Sequence, residues 1–449
     1  MLGEARLLTE LRQVVKRSPA DGISVCAHAG TRRVFRFADE SVHQALVRQT
    51  ISVTVKVILN NRVGVAGTET LEADSLARCV RSAVEIAKHA PQPDDRPILP
   101  AGTRITTRAD ALEATAAFTP AMALAAIRWL FHLCRGAGAT LAGSLVTGDD
   151  TFAVVNSAGA RCYAASTVAG AKLVTMYRKL SGFAGGVHRD IRRLDLDGLL
   201  KRSLRQSLHQ EDPVTLPLGT YEVILEPEAV ADLVTWLGYT GFGAKSVQER
   251  ASFLAGRMGE RVFDPEITIC DDGHDPQGLR VPFDFEGTLK QRVPLIDRGI
   301  AAGIVYDTVY GARFRHPSTG HAMPPQDTDG PLPLHLVMAP GRAPLSQMIR
   351  ACKRGLLIPR FHYVNGLLNP REALMTGLTR EGAFLIENGR ITKPVSTMRF
   401  THSLLEAFRR VLGVSSERRL IADPSQELGC ALMPSLHLAA FQFTGRSEQ

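Results

Sequence analysis

Two carboxylates in one short segment could perform acid–base chemistry. Asp284 and Glu286 lie two residues apart in Phe283–Gly287, and a strand would place both side chains on one face. A pair of carboxyl groups in one cleft can supply a general acid and a general base. The alternative is that both acids lie at the solvated end of a strand.

A histidine pair could bind a substrate or a metal ion. His316 and His321 end the segment His-Pro-Ser-Thr-Gly-His, in which the Pro and the Gly predict a loop. The spacing does not place both rings on one helix face. Two solvated loop histidines are the alternative.

Polar side chains surround this loop. Tyr306 and Asp307 precede it in an apolar run that predicts a strand, and Ser318 and Thr319 lie within it. Polar residues of such a strand either line a cavity or form hydrogen bonds at the sheet edge.

Several common site motifs are missing from the sequence. It contains no His-Glu-x-x-His, no glycine-rich dinucleotide or P-loop motif and no Gly-x-Ser-x-Gly elbow. Asp271–Pro276 lacks the alternating oxygen ligands and closing Glu of an EF-hand, so it predicts a turn. The seven Cys include no Cys-x-x-Cys pair, which indicates a reducing compartment instead of a disulfide scaffold.

The composition indicates an ordinary globular protein. Among 449 residues there are 53 Lys and Arg against 45 Asp and Glu, a net charge of +8 without any long basic run. Nucleic acid is therefore not an expected partner. No apolar run is long enough to cross a membrane, and the amphipathic N-terminus differs from a signal peptide. We expect a cytoplasmic protein.

The helices and strands that would hold these candidate site residues predict an α+β fold. Helical periodicity predicts helices at 2–16, 72–89, 120–136, 197–209 and 227–240. Alternating patterns predict strands at 23–27, 33–37, 51–59, 140–146, 151–156, 161–165, 171–177 and 221–225. Turns are predicted at Asn60–Arg62 and Gly148–Asp150. The Pro- and acid-containing stretch Glu211–Pro217 predicts the boundary between an N-terminal α+β domain, 1–210, and a β-rich C-terminal domain, 218–449.

Blocks spread over nearly the whole chain carry a family resemblance. They are Asn61–Gly64, Val155–Gly159, Tyr221–Leu225, Phe253–Val262, Ile267–Asp272, Phe283–Gly287, Leu295–Gly299, Tyr306–Asp307, Ser318–Ala322 and Phe384–Val395. In this order they resemble the TldD/PmbA family, also called the modulator-of-gyrase family. The resemblance implies that the C-terminal half is a metallopeptidase domain of the TldD/PmbA type.

Catalytic members of the family carry His-Glu-x-x-x-His in a helix after the strand at Tyr221–Leu225, with a late Cys as third zinc ligand. Here the corresponding positions are Thr235, Trp236 and Thr240. Neither a Thr hydroxyl nor an indole N–H replaces an imidazole ligand or a carboxylate base. Ile421–Gln426 lacks the Cys. The resemblance therefore implies a degenerate, metal-free site.

The resemblance thus implies a PmbA/TldE-type subunit without a metal or catalytic residue of its own. A TldD-like partner carrying His-Glu-x-x-x-His and zinc would complete a chamber that cleaves unfolded peptide or peptide-like precursors. Some relatives from high-GC bacteria act in antibiotic biosynthesis. The substrate-cavity candidates are Asp284, Glu286, Tyr306, Asp307, His316, Ser318, Thr319 and His321.

Two other functions stay open. The chain could be a self-sufficient homodimeric amide hydrolase that uses His316, His321, Asp307 and Glu286. It could also be a non-enzymatic protein that associates with gyrase or DNA, which salt-dependent DNA retention would reveal.

Overall fold

The computed structural model describes residues 2–209, 212–425 and 429–446, so Glu211 and Gln426 of the predicted segments lie outside it. Two large sheets with flanking helices confirm the predicted α+β class. Within the described ranges, no helix is both long and apolar enough to span a bilayer.

The N-terminal half builds one seven-stranded sheet in the order β3-β2-β1-β5-β6-β4, with β7 also paired to β6. Its strands are β1 (Gly22–Ala38), β2 (Ser41–Leu59), β3 (Arg62–Thr68), β4 (Arg104–Asp110), β5 (Thr140–Asn156), β6 (Arg161–Tyr177) and β7 (Leu180–His188). Its helices are α1 (Glu4–Arg17), α2 (Ala73–His89), α3 (Glu113–Ala116), α4 (Pro120–Gly136) and α5 (Leu196–Ser207), with a 3-10 turn at Ile191–Arg193.

Local signals predicted much of this half. The N-cap Thr119 starts α4, where its hydroxyl accepts a hydrogen bond from the Met122 backbone N–H at 3.3 Å. Asn60 and Asn61 both adopt positive φ, 49° and 62°, and connect β2 to β3 in a tight hairpin. The predicted helices and the hairpin turn are confirmed.

The predicted turn at Gly148–Asp150 is wrong, because these residues lie inside the continuous strand β5. Asp149 has Thr31 of β1 on one side and Thr167 of β6 on the other. Its carboxylate lies 3.4 Å from the Arg33 guanidinium. Backbone pairing on both sides outweighs the local turn preference. Likewise, the two strands predicted at 23–27 and 33–37 form the single strand β1.

The C-terminal half builds a thirteen-stranded sheet. Its strands are β8 (Gly219–Leu225), β9 (Ile269–Asp271), β10 (Val293–Asp297), β11 (Ile300–Ala301), β12 (His335–Met338), β13 (Arg354–Ile358), β14 (Arg360–Asn369), β15 (Leu374–Arg380), β16 (Ala383–Glu387), β17 (Arg390–Val395), β18 (Met398–Ser403), β19 (Val411–Ile421) and β20 (Cys430–Arg446). Its helices are α6 (Pro227–Gly241), α7 (Ala244–Gln248), α8 (Thr308–Arg313), α9 (Leu345–Ala351) and α10 (Leu404–Ala407), with a 3-10 turn at Pro370–Glu372.

Helix α6 packs into the main core of this half. Its buried side chains Val230, Leu233, Val234 and Leu237 contact the sheet and a set of fully buried aromatic rings. Pro227 occupies its first turn, as predicted. Most strand pairs are antiparallel, and β8 with β13 and β12 with β20 are parallel.

The two sheets meet along β1, β5 and β6. Phe283 is fully buried and stacks on Phe152 of β5 with ring centroids 5.0 Å apart. On the same side, Arg32 Nε donates to the Pro424 carbonyl oxygen at 3.1 Å, and Lys172 Nζ lies 2.8 Å from Asp423. This junction closes the cavity described next.

Candidate functional site

A cavity of about 220 Å³ lies where the N-terminal sheet meets the loops of the C-terminal half. From the sheet, Asp150 and Phe152 line it, together with Asp110 at the end of β4. The opposite wall comes from the segments around Asp284 and His321. A concave, mostly apolar space with a few polar groups is the usual form of a ligand site.

Asp284 is buried in the wall of this cavity. Its carboxylate accepts hydrogen bonds from the backbone N–H groups of Glu286, Thr288 and Ala322 at 2.9–3.0 Å. Burial, reinforced by the nearby charge of Glu286, raises the pKa of Asp284 to about 7 despite these bonds. A carboxyl group that titrates near neutral pH can act as an acid or a base.

The predicted strand around Asp284 and Glu286 is wrong. The backbone N–H groups of Glu286 and Thr288 both point to the Asp284 carboxylate, so the segment is a tight turn. The two acids consequently differ in their contacts. Glu286 accepts from the Thr308 hydroxyl at 2.8 Å and lies 3.6 Å from the ammonium group of Lys56.

The strand predicted at Tyr306 and Asp307 is also wrong. Asp307 is the N-cap of α8, and its carboxylate accepts a hydrogen bond from the Tyr310 N–H at 2.7 Å. The exposed His316 ring stacks on Tyr306 with centroids 4.5 Å apart. These residues form one cluster beside the cavity with Glu286.

Burial and the neighbouring charge of Glu286 raise the pKa of Asp307 to about 6. The folded chain therefore binds more protons than the unfolded chain between about pH 4 and pH 6. The contribution of Asp307 to the free energy of unfolding consequently falls as pH rises through that window. Asp307→Asn keeps a good N-cap but cannot ionise. We therefore expect Asp307→Asn to gain stability relative to the native chain as pH rises from about 4.5 to about 7.5. Urea unfolding at the two pH values should show a change of about 1–3 kcal/mol in the difference between their free energies of unfolding.

Asp307→Ala is the matched control for this prediction, because it removes the charge together with the cap. It should be less stable than Asp307→Asn at both pH values, by about 1 kcal/mol. A stability difference between Asp307→Asn and the native chain that stays constant with pH would contradict the assignment.

Ser318 and Thr319 fix the loop that carries the predicted histidine pair. Both hydroxyls donate to the Tyr306 carbonyl oxygen, at 3.3 and 3.1 Å. His316 and His321 do not share a site, because His316 is exposed whereas His321 is buried inside the wall. His321 Nδ1 lies 3.0 Å from the Thr319 hydroxyl.

His321 belongs to a buried charge network. Asp271 is completely buried, and its Oδ1 lies 2.8 Å from His321 Nε2 and 3.1 Å from the Lys290 ammonium. Its Oδ2 accepts from the His335 backbone N–H at 2.7 Å. Burial opposes the charge of Asp271, but Lys290 and His321 outweigh it and hold the pKa of that carboxyl far below its usual range.

The two histidines of the network both have lowered pKa values. Burial, and then the charge of Lys290, lowers the pKa of His335 to about 3 and that of His321 below its usual value. His335 lines the cavity. Its Nδ1 has no hydrogen-bond partner among the described residues, so it is available to a bound molecule.

Charged side chains that sequence reasoning did not predict also line the cavity, from both halves of the chain. Asp150 lies 2.9 Å from the Arg32 guanidinium and 3.2 Å from His28 Nε2. Arg280 binds both oxygens of Asp110 at 2.6–3.1 Å, and Arg189 pairs with the same carboxylate. Asp150 was missed because the Gly-Asp-Asp pattern predicted a turn at its position. The contact between Asp110 and Arg280 was missed because nothing in the spacing of these residues along the sequence predicts it.

Helix α6 carries the three positions at which catalytic members of the family have their zinc motif. Thr235 is exposed, Trp236 packs against Gly366 of β14, and the buried Thr240 hydroxyl donates to the Trp236 carbonyl oxygen at 2.7 Å. A hydroxyl already committed to the helix backbone and an indole are not zinc ligands. Within the described part of the chain, no trio of His, Cys, Asp or Glu gathers at this helix. The residues present do not fit the metal.

Comparison with known protein families places this fold among metallopeptidases. The PmbA/TldA metallopeptidase C-terminal domain matches residues 218–445, and domain 1 of the same family matches residues 24–87. The chain belongs to the PmbA/TldD family.

Relatives support this assignment. Metalloprotease PmbA of Escherichia coli O157:H7 is 24% identical over 400 residues, which cover 86% of this chain and 85% of that protein. The Metalloprotease TldD homolog of Haemophilus influenzae is 27% identical over 223 residues, 49% of this chain and 46% of that protein. The chain thus spans about half the length of some curated relatives that it matches.

A solved structure shares the fold over almost the full chain. TldE from Thermococcus kodakarensis superposes with a TM-score of 0.88 at 20% identity, covering 98% of this chain and 100% of that one. At this identity the likeness concerns the fold.

Proposed function

We propose that this chain is the non-catalytic subunit, without a catalytic zinc ion of its own, of a two-chain peptidase or amidase. A TldD-like partner would contribute the zinc ion and the His-Glu-x-x-x-His motif. The observation that carries the proposal is that no His or Glu stands at the family's motif positions on α6, which Thr235, Trp236 and Thr240 occupy. The helix itself is intact and well packed, which supports a scaffold that keeps the family fold without a metal site on α6.

The substrate class in this proposal is unfolded peptide or a peptide-like precursor of a small molecule, such as an antibiotic. Among the described residues, no strand pairs with the outer edge of β2 over residues 41–52, because β3 begins its pairing at Val53. An open edge of this kind can accept an extended chain through backbone hydrogen bonds, independently of its sequence. The cavity at the junction, which combines apolar walls with a few charged groups, would hold a side chain or terminus.

The test compares the lone chain with a mixture that contains the TldD-like partner. We expect no cleavage of a fluorescently labelled unfolded peptide by this chain alone. Cleavage should appear on mixing and vanish when a chelator removes zinc. Mutating the Glu of the partner's motif to Gln should abolish it, whereas Thr235→Ala in this chain should leave it unchanged. Full cleavage by the lone chain, or by the partner without this chain, would contradict the proposal.

A second candidate function rests on Asp284. Its pKa near 7 and its place in the cavity wall beside His321 suit a metal-independent amide hydrolase that acts without a partner. In that case the lone chain cleaves peptide, and Asp284→Asn removes the activity. Loss of cleavage in Asp284→Asn with the native fold retained would favour this candidate over the first.

A further inference from the structure

Three potential metal ligands meet on the C-terminal sheet, away from the cavity. They are Glu222 on β8, His437 on β20 and Cys352, which directly follows α9. One carboxylate oxygen, one ring nitrogen and the sulfur all lie within 4.8 Å of one another. His437 Nε2 and Glu222 Oε1 are 2.7 Å apart.

The strand register sets this trio on one face of the sheet. His437 pairs with Ile224 of β8, and Glu222 shares the face of Ile224 because side chains alternate along a strand. Ile224 packs with Cys352, whereas its neighbours Val223 and Leu225 pack in the core that contains α6. The trio is therefore independent of the degenerate zinc helix on the other face.

A glycine makes room for the sulfur. A side chain at Gly355 of β13 would place its first carbon 2.7 Å from the Cys352 sulfur and 2.6 Å from the Glu222 carbonyl oxygen. The Cys352 backbone is fixed on both sides, since its N–H bonds to the last turn of α9 and its carbonyl oxygen accepts from the Gly389 N–H at 2.9 Å. The sulfur is thus held in a fixed place beside the other two groups.

We propose that Glu222, Cys352 and His437 form a binding site for one zinc ion. Thiolate, imidazole and carboxylate are the three side-chain ligand types of Zn²⁺, and the sulfur disfavours Mg²⁺ and Ca²⁺. Three protein ligands leave a fourth position for water. Glu222 is 28% exposed and gives the site access to solvent, whereas His437 is only 6% exposed.

Binding requires a small movement and the loss of one proton. Tetrahedral ligands at zinc distances stand about 3.4 Å apart. Glu222 and His437 must therefore separate from their 2.7 Å contact, and the Cys352 sulfur, which lies within 4.8 Å of both ligand atoms, must adjust to the same spacing. Burial, and then Glu222, raises the pKa of the Cys352 thiol to about 12. The thiol proton passes to solvent as the sulfur–zinc bond forms, so affinity increases with pH.

The test titrates ZnCl₂ and CoCl₂ into the full-length chain after chelator treatment. We expect one Zn²⁺ per chain, and for Co²⁺ a near-ultraviolet thiolate-to-cobalt charge-transfer band. Cys352→Ser should abolish this band and weaken zinc binding at least about tenfold. Cys134→Ser, a change at a buried Cys of α4, is the matched control and should alter neither property.

The zinc site is tested independently of the proposed function, because the readouts are zinc stoichiometry and the cobalt spectrum and not peptide cleavage. Absence of the cobalt band, or unchanged zinc affinity in Cys352→Ser, would overturn it and leave a metal-free hydrogen-bonded trio. If Cys352→Ser fails to fold by circular dichroism, Glu222→Gln at the partly exposed position replaces it. That variant should also bind zinc at least about tenfold more weakly, and unchanged affinity would equally overturn the site.

Discussion

Asp271→Asn is expected to lower the free energy of unfolding by about 3–5 kcal/mol, because it leaves a buried ammonium group without its counter-charge. Lys290 is 4% exposed and lies 3.1 Å from the Asp271 carboxylate, which is completely buried. Asn keeps one acceptor oxygen, but its amide group would face the ammonium of Lys290 or the backbone N–H of His335 with a second donor. Removing one partner of a buried ion pair costs more than the pair itself contributes.

The pH dependence of this network has a definite sign. The pKa of Asp271 is depressed in the folded chain, so its contribution is present above about pH 4 and is lost as pH falls. His321 and His335 also have lowered pKa values. Below about pH 6.5 the unfolded chain therefore binds more protons at these histidines, which lowers stability further. All three groups make the native chain sensitive to acid.

Urea unfolding of four chains measures the network directly: the native chain, Asp271→Asn, Lys290→Met and the double variant. We expect the double variant to recover much of the loss in Asp271→Asn, because the unpaired ammonium is then absent. A loss below about 1 kcal/mol in Asp271→Asn, or additive effects in the double variant, would show that the pair does not act as a buried unit.

Secondary-structure elements that are determined by neighbouring residues could be predicted from the sequence. Helix α6 follows from its apolar spacing and Pro227, and the β2–β3 turn follows from two Asn residues that tolerate positive φ. The Gly148–Asp150 segment has an equally strong local turn signal, yet β1 and β6 pair with it on both sides. Sequence periodicity does not reveal which strands flank a segment, so long-range pairing overrode the prediction.

The same distinction applies to the candidate site. Asp284 and His321 were among the predicted cavity residues, and both line the cavity at the junction of the sheets. Asp271 was assigned to a turn, because nothing in its neighbourhood indicates the buried partners Lys290 and His321. Asp110 and Arg280 were missed for a similar reason, since they lie 170 residues apart in the chain. Contacts between residues so far apart in the sequence form only when the two sheets assemble.

The family assignment and the structure together limit the chemistry of this chain. Membership in the PmbA/TldD family rests on matches that include residues 218–445. The helix where the family's zinc ligands are expected has an exposed Thr235 and a Thr240 whose hydroxyl bonds to its own backbone. Hydrolysis in the cavity by this chain alone would therefore depend on the cavity carboxylates and not on zinc ligands of α6, which is why assays of the lone chain separate the two candidate functions.

Phe283→Ala is expected to destabilise the chain by about 3–5 kcal/mol. Phe283 belongs to the C-terminal half but is buried against the N-terminal sheet, where it packs with Cys26, Val154 and Cys162 and stacks on Phe152. Truncation removes this contact and enlarges the neighbouring cavity, because a β-sheet cannot collapse far enough to fill the space.

Phe285→Ala is the matched control for Phe283→Ala. Phe285 also contacts Phe152, with ring centroids 4.9 Å apart, but it is only partly buried, so its removal should cost clearly less. Equal losses in the two variants would contradict the assigned role of Phe283.

Urea unfolding of Phe283→Ala, followed by fluorescence and by circular dichroism, also tests how the N-terminal and C-terminal halves cooperate. Coincident transitions would mean that the halves still unfold together, whereas separated transitions would mean that Phe283 couples the two sheets.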